Sequence, residues 1–100
     1  MKTQTVVFTP PTSMTANEAL SNIGARLPSD VINHMDITSG FGQRATSITN
    51  DGNTYTVVTE WDDEAAATYK DLMASVSGGV KADLISEGWT ITFTPETADL

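Results

Sequence analysis

The chain has 100 residues, no cysteine and a formal net charge of −8, from thirteen acidic and five basic residues. This length predicts one domain, spanning residues 1–100, with a single core. Without cysteine there are no disulfides, thiolate zinc sites, iron–sulfur clusters or cysteine nucleophiles. Nucleic acids and anionic membranes attract Lys and Arg, so the acidic balance argues against both as partners. No apolar run is long enough for a targeting core or a membrane span, and we expect a cytoplasmic protein.

The first half of the chain predicts a strand, a helix and a second, weaker strand. The strand over residues 3–9 ends at Pro10, because proline donates no hydrogen bond to a sheet. Thr15 and Glu18 have the spacing of a capping box, and the helix that they open continues to Pro28. Residues 29–43 are the least certain stretch: a short helical turn followed by a strand fits them, with a glycine-rich bend at residues 39–42. A weak, polar edge strand then runs to about Thr49.

A β-hairpin from Arg44 to Trp61 is the strongest local signal. Its turn, Asn50-Asp51-Gly52-Asn53, has residues that accept the positive φ angles of a tight hairpin. Residues 54–61 alternate as a strand does and are rich in β-branched and aromatic side chains. A helix is then predicted over 63–76, ended or kinked by Gly78-Gly79. A short helical piece up to Gly88 and a last strand over 89–94 follow it.

This order, β-α-β-β-α-β, predicts an α+β protein with a ferredoxin-like fold, a four-stranded antiparallel sheet with two helices on one face. The first and third strands carry apolar residues on both faces, at Val6-Val7-Phe8 and Val57-Val58. We therefore expect them in the middle of the sheet. Trp61 and Trp89 fall on the helix-facing side and are predicted to lie in the core.

Threonine dominates the sheet face that the helices are predicted to leave uncovered. Antiparallel sheets commonly leave one side wet, so this face needs no function. As a contact surface it would have valines at an apolar centre and threonines as a hydrogen-bonding rim. It has neither the stacking aromatics nor the basic residues of RNA-binding domains. The candidate partner-binding residues on this face are Thr5, Val7, Thr56, Val58 and Thr92.

Two further contact candidates flank the hairpin. Phe41 and Arg44 lie at the glycine-rich bend, and an exposed aromatic beside an arginine is typical of a binding hot spot. Phe41 packed over the sheet edge is an equal alternative. Asp62, Asp63 and Glu64 form an acidic junction that suits a basic partner. The same acids are favourable at the positive end of a helix, and three consecutive acids do not converge on a metal ion.

No residue pattern in the chain predicts catalysis. His34 is the only histidine, with Asp36 two residues away, and a general-base role for it competes with a plain surface position. No serine stands in a nucleophile-elbow motif, and no glycine-rich phosphate loop is present. We therefore predict no catalytic residue, no cofactor and no metal.

Residues 54–72, TYTVVTEWDDEAAATYKDL, resemble one stretch of the antibiotic-biosynthesis-monooxygenase-like family, in which a strand ends in Trp and opens through polar residues into an Ala-rich helix. The resemblance implies a ferredoxin-like fold that pairs through its sheets into a dimeric α/β barrel. It implies no haem site, because the haem-degrading members use a Trp and a His in the second helix, and residues 63–76 contain neither.

Two functions of different classes remain. The first is a non-enzymatic binding or assembly module that acts through protein–protein contacts or self-association. An accessory or inhibitor protein of a bacteriophage, covering a basic site on a host protein, is one version of it. The second is a dimeric α/β-barrel enzyme or small-ligand-binding protein with a pocket near Asn33, His34 and Trp61. The lack of a chemical motif, the acidic charge and the threonine face favour the first.

Overall fold

The computed structural model describes residues 1–27, 43–74 and 77–100, of which 43–46 and 77–79 are described by their backbone only. The strands are β1 (Lys2–Thr9), β2 (Gln43–Asp51), β3 (Thr54–Trp61) and β4 (Thr90–Thr94). The helices are α1 (Ala16–Gly24), α2 (Asp63–Met73) and α3 (Ser77–Ser86), and a 3₁₀ helix (Thr97–Asp99) follows β4.

The four strands form one sheet in the order β2-β3-β1-β4, and all neighbouring strands pair antiparallel. The predicted α+β class and four-stranded antiparallel sheet are confirmed, and β1 and β3 occupy the middle as their two-sided apolar pattern predicted. It follows that β2 runs parallel to β1, and β4 parallel to β3. Strands that run parallel need crossover connections, and α1, α2 and α3 lie in those connections.

The predicted hairpin is formed by β2 and β3. Asp51 pairs with Thr54, so the turn itself consists of Gly52 and Asn53. Gly52 has a φ of +62°, which favours glycine because it has no Cβ, whereas Asn53 has a negative φ. This combination of signs is that of a type II′ turn, whose twist matches the twist of the flanking strands.

Asn53 also ties the turn to the loop between β1 and α1. Its Nδ2 donates to the carbonyl oxygens of Pro10 at 3.3 Å and Thr12 at 3.1 Å. Its Oδ1 accepts a hydrogen bond from the Met14 amide at 3.2 Å, and the Tyr55 hydroxyl donates to the Met14 carbonyl at 2.6 Å. These bonds fix the loop across one end of the sheet and so set where α1 begins.

The capping box at the start of α1 is present as predicted. Thr15 Oγ1 accepts from the Glu18 amide at 3.2 Å, and Glu18 Oε1 accepts from the Thr15 amide at 3.3 Å. The helix ends at Gly24 rather than at the predicted Pro28. The amides of Arg26 and Leu27 bond to carbonyls only three residues back, which tightens the chain into a 3₁₀-like turn and stops the α-helix.

All three helices pack on one face of the sheet and bury two hydrophobic clusters. The larger lies under α1 and α3, and its buried residues are Phe8, Ala19, Tyr55, Val80, Leu84, Trp89 and Ile91. The smaller lies under α2, and its buried residues are Trp61, Ala65, Ala66, Tyr69 and Met73. Both tryptophans are therefore in the core, as predicted.

The crossover from β3 to β4 contains both α2 and α3, so the sheet carries three helices and not two, and α3 lies where a short helical piece up to Gly88 was predicted. α2 ends at Met73, and Gly78-Gly79 lie in the first turn of α3 instead of ending a helix that reaches residue 76. Val76 lies outside the described residues. Two glycines lower helix propensity, but Val80 and Leu84 are 7% and 0% exposed, and this burial stabilises α3 beyond what its sequence favours.

Gly88 ends α3 in a Schellman motif. The Trp89 amide donates to the Leu84 carbonyl at 2.9 Å, and the Gly88 amide donates to the Ile85 carbonyl at 3.1 Å. Gly88 has a φ of +96°, and a Cβ there would lie 3.2 Å from the Cβ of Pro11. The motif turns the chain so that Trp89 enters the core directly before β4.

Leu84→Ala is expected to lower the free energy of unfolding by about 2–5 kcal/mol, because a fully buried side chain would leave a cavity. Ile85→Ala is the matched control on the same helix. Ile85 is 52% exposed, so its loss should cost about 0.5 kcal/mol or less. Urea denaturation followed by tryptophan fluorescence measures both changes, and equal losses would contradict the placement of α3.

Candidate functional site

The sheet face opposite the helices is open. We use the name open face for the outward-pointing strand residues whose side chains the structure describes, and none of these is buried. In chain order they are Thr3, Thr5, Val7, Thr9, Ser47, Thr49, Asp51, Thr54, Thr56, Val58, Glu60, Thr90, Thr92 and Thr94. The residues that alternate with these along each strand point to the helices and contribute to the core. Every strand therefore has one packed face and one open face.

Strand register arranges the open face in rows that cross the sheet. The first row is Ser47, Val58, Thr5, Thr94, and the second is Thr49, Thr56, Val7, Thr92. In a third row, Thr90 pairs with Thr9, whose hydroxyl lies 2.9 Å from that of Thr54 in a hydrogen bond. The five predicted contact residues thus lie together in two adjacent rows, with Val7 and Val58 on neighbouring strands.

The electrostatic character of the open face is neutral at its centre and acidic at two margins. Asp51 is exposed at one end of the hairpin, and Glu60 lies toward the other end of β3. None of the open-face side chains in the described ranges is basic. A surface of this kind attracts cationic groups and repels a second copy of itself at its acidic margins.

The acidic junction follows β3 directly and begins α2. Asp62 is the N-cap residue, and its side chain makes no capping hydrogen bond. Asp63 instead pairs with the N-terminal amine at 2.7 Å, and this hydrogen-bonded charge lowers the pKa of the Asp63 carboxyl. Asp63 and Glu64 are exposed in the first turn, where the helix dipole favours acids.

The other predicted site residues are distributed unevenly. Phe41, Asn33 and His34 lie outside the described residues, and Arg44 is described only as a backbone position of β2. Trp61 is 1% exposed and packs against Tyr69, with ring centroids 4.6 Å apart. Of the three residues of the alternative pocket, the described part of the chain contains Trp61, which lies beside a cavity.

This cavity has a volume of about 120 Å³ and lies between the sheet and the helices. Its described walls come from all four strands and all three helices, and nearly all of them are apolar. Val6 and Val57 contribute from the sheet, Ile23 and Leu84 from the helices, and Ile48 from the edge strand β2. Ile48 is 39% exposed, so the cavity reaches the side of the molecule where β2 lies.

A buried polar group lies at the Trp61 end of the cavity. Gln4 is 2% exposed, and its Nε2 donates to the Pro95 carbonyl at 3.1 Å and to Thr97 Oγ1 at 3.0 Å. Thr97 in turn shares a side-chain hydrogen bond with the phenol of Tyr69. Burial raises the pKa of Tyr69, and the bond with Thr97 only partly opposes the rise.

Sequence reasoning missed Gln4, Tyr69 and Thr97 as a group. Gln4 shares its parity with Val6 and Phe8, which was a signal that it points into the core, but a glutamine on a strand is ordinarily exposed. Its partners are more than ninety positions away along the chain. Nothing local in the sequence indicates that pairing.

Within residues 1–27, 43–74 and 77–100, no three His, Asp or Glu side chains converge as metal ligands would. In the same part of the chain, no helix has the length and apolar character needed to cross a bilayer. Comparison with known proteins found no match to any family model, curated sequence or solved structure. The resemblance of residues 54–72 to the monooxygenase-like family therefore stays a prediction, and a function has to be argued from the geometry.

The buried phenol of Tyr69 makes stability fall at high pH. Its pKa is raised in the folded protein above the ordinary value of 10.0, which the unfolded chain keeps. The free energy that the protonated, buried phenol contributes to folding is therefore fully present below pH 10.0. It is lost as the pH rises through the folded-state pKa. Unfolding free energies of the wild type and Tyr69→Phe, measured by urea denaturation from pH 8 to about 11, should diverge only above pH 10.0. Parallel profiles would contradict a buried phenol.

Proposed function

We propose that this chain has the ferredoxin-like topology and acts as a non-enzymatic binding module through its open face. The topology is supported by the strand order, by the antiparallel pairing of all neighbours and by the crossover position of the helices. The binding function is supported by one observation above all. The partly exposed valines Val7 and Val58 lie on the two central strands, within continuous rows of threonine hydroxyls.

The composition of the open face suits a reversible protein contact. Val7 and Val58 form a small apolar centre, and the surrounding threonines offer hydroxyls that both donate and accept hydrogen bonds. A partner that covers these valines gains apolar burial there and hydrogen bonds around them.

The size and charge of the open face favour a different protein over a second copy. Four strands about 4.8 Å apart, of which the two central ones are eight residues long, cover roughly 400–500 Å², against about 800 Å² per partner in a standard stable interface. Face-to-face pairing would also bring the acidic margins at Asp51 and Glu60 toward like charges. The partner we propose is therefore a protein with a basic rim around a small apolar patch.

The acidic junction extends this surface. Glu60 is the last open-face residue of β3, and the exposed Asp63 and Glu64 follow within four positions. A basic partner that covers the centre of the face can reach these carboxylates at the same end of the sheet. Their contribution would be to the association rate and its salt dependence more than to affinity.

The mass in solution tests the choice between partner and self-association. Light scattering on a sizing column is expected to give a monomer of 10.7 kDa at both about 0.05 M and about 0.5 M salt, because the face is too small and too acidic to pair with itself. A dimer that survives dilution and high salt would overturn the preference for a different protein.

Partner capture tests the open face itself. Immobilised wild type should retain a basic protein from a lysate of the cells that make this chain, and about 0.5 M salt should release it. Val58→Arg should abolish retention, because it places a cation at the apolar centre against a basic partner. Ile85→Arg is the matched control, since Ile85 is exposed on α3, away from the open face.

Charge reversal of Asp63 and Glu64 to Lys should weaken this capture and reduce its dependence on salt. Retention that Val58→Arg leaves unchanged would reject the open face as the binding surface. If the changes at Asp63 and Glu64 abolish retention and Val58→Arg does not, the binding site lies at the acidic junction.

A further inference from the structure

We propose that the cavity between the sheet and the helices binds one small, neutral aromatic molecule. The site is independent of the open face, because the cavity lies on the other side of the sheet. Its described walls combine Val6 and Val57 of the central strands with Ile23, Leu84 and other apolar side chains of the helices.

The volume of the cavity sets the size of the ligand. At about 120 Å³ it is far larger than the gaps between well-packed side chains, which rarely exceed one water molecule. Apolar protein cavities of roughly 150 Å³ take up benzene and xenon and exclude water. The match points to a single ring of about six to nine non-hydrogen atoms, and not to a cofactor or a peptide.

The chemistry of the walls sets the charge of the ligand. No Lys, Arg, Asp, Glu or His is among the described residues that line the cavity. Moving an ion into such surroundings without a partner is unfavourable. The described walls therefore disfavour charged molecules of the same shape.

Two of the polar side chains on the cavity wall, Gln4 and Tyr69, are engaged in hydrogen bonds. Gln4 donates to Pro95 and Thr97, and Thr97 is bonded to Tyr69. The described walls thus offer the ligand few polar groups. Recognition rests on shape and apolar contact, which favours a hydrocarbon ring or one with a single weakly polar group.

The aromatic residues and the sulfur around the cavity favour an aromatic ring over an aliphatic one. Phe8 borders the cavity and stacks on Tyr55 with centroids 5.5 Å apart, and Trp61 and Tyr69 border its other end. Met73 adds a thioether beside them. Aromatic rings and sulfur make favourable edge and offset contacts with a bound ring, beyond simple area burial.

Titration with toluene, followed by ¹H–¹³C methyl spectra and by thermal unfolding, tests the proposal. We expect saturable shifts for one site, centred on the methyl groups of Val6, Val57 and Leu84. The midpoint of unfolding should rise by roughly 5–10 °C at ten times the dissociation constant. Benzoate and benzylammonium, which have the same ring with a charge, should bind at least about tenfold more weakly.

Two adjacent valines supply a matched pair of variants. Val57→Phe places a ring in the cavity and should weaken toluene binding at least about tenfold. Val58→Phe makes the same change at the next residue, on the open face, and should leave the dissociation constant within about twofold. Ile23→Phe fills the cavity from α1 and serves the same purpose if Val57→Phe does not fold, which circular dichroism reports.

The outcomes separate this proposal from the open-face proposal. Loss of toluene binding in Val57→Phe or Ile23→Phe, with partner capture retained, supports the cavity site. Shifts that grow linearly with toluene, shifts away from the cavity methyls, or equal binding of benzoate would overturn it. If neither cavity variant folds, nuclear Overhauser contacts between toluene and the Val57 and Leu84 methyls decide, and their absence would also overturn it.

Discussion

The insertion of β1 between β3 and β4 is the constraint on which the rest of the structure depends. This strand of the chain's first residues pairs with residues 54–61 on one side and 90–94 on the other. Because side chains alternate along a strand, a slip of one residue would turn Phe8 and Gln4 outward and Val7 inward. The register of β1 therefore sets which side of the sheet receives the helices and which side stays open.

One consequence is that two candidate binding sites share the same strands without sharing residues. Val57 lines the cavity, and Val58, the next residue, lies at the centre of the open face. Val6 and Val7 divide in the same way on β1. The sheet is a single layer of backbone between the two sites, so the hydrogen-bonded strands that present one site also form the wall of the other.

The C-terminal segment closes the helix-facing side at the end where β1 begins. The side-chain amide of Gln4 donates hydrogen bonds to Pro95 and Thr97. The amine of Lys81 in α3 pairs with Glu96 at 3.0 Å and lies 5.9 Å from the centre of the Phe93 ring. The exposed ion pair adds little free energy by itself. The buried amide and hydroxyl matter more, because removing either one leaves a buried polar group without a partner.

The sequence by itself determined the features whose physics is local. The Gly52 turn, the capping box of Thr15 and the alternation of β3 each depend on residues within a few positions, and each is found as predicted. The central position of β1 and β3 was also predicted, from the apolar residues that these two strands carry on both faces. The open face followed from the same alternation, which brought Thr5, Val7, Thr56, Val58 and Thr92 into two rows.

Only the tertiary structure decided the features that depend on contacts between distant parts of the chain. Gly78-Gly79 disfavour a helix locally, but α3 forms over them because Val80 and Leu84 are buried against strands from the other end of the sequence. Gln4 reads as an ordinary exposed residue until Thr97 is placed beside it. The cavity has no sequence signature, because it is the space left between three helices and four strands after they pack. Its volume depends on the distances between these elements and not on the residues of any single element.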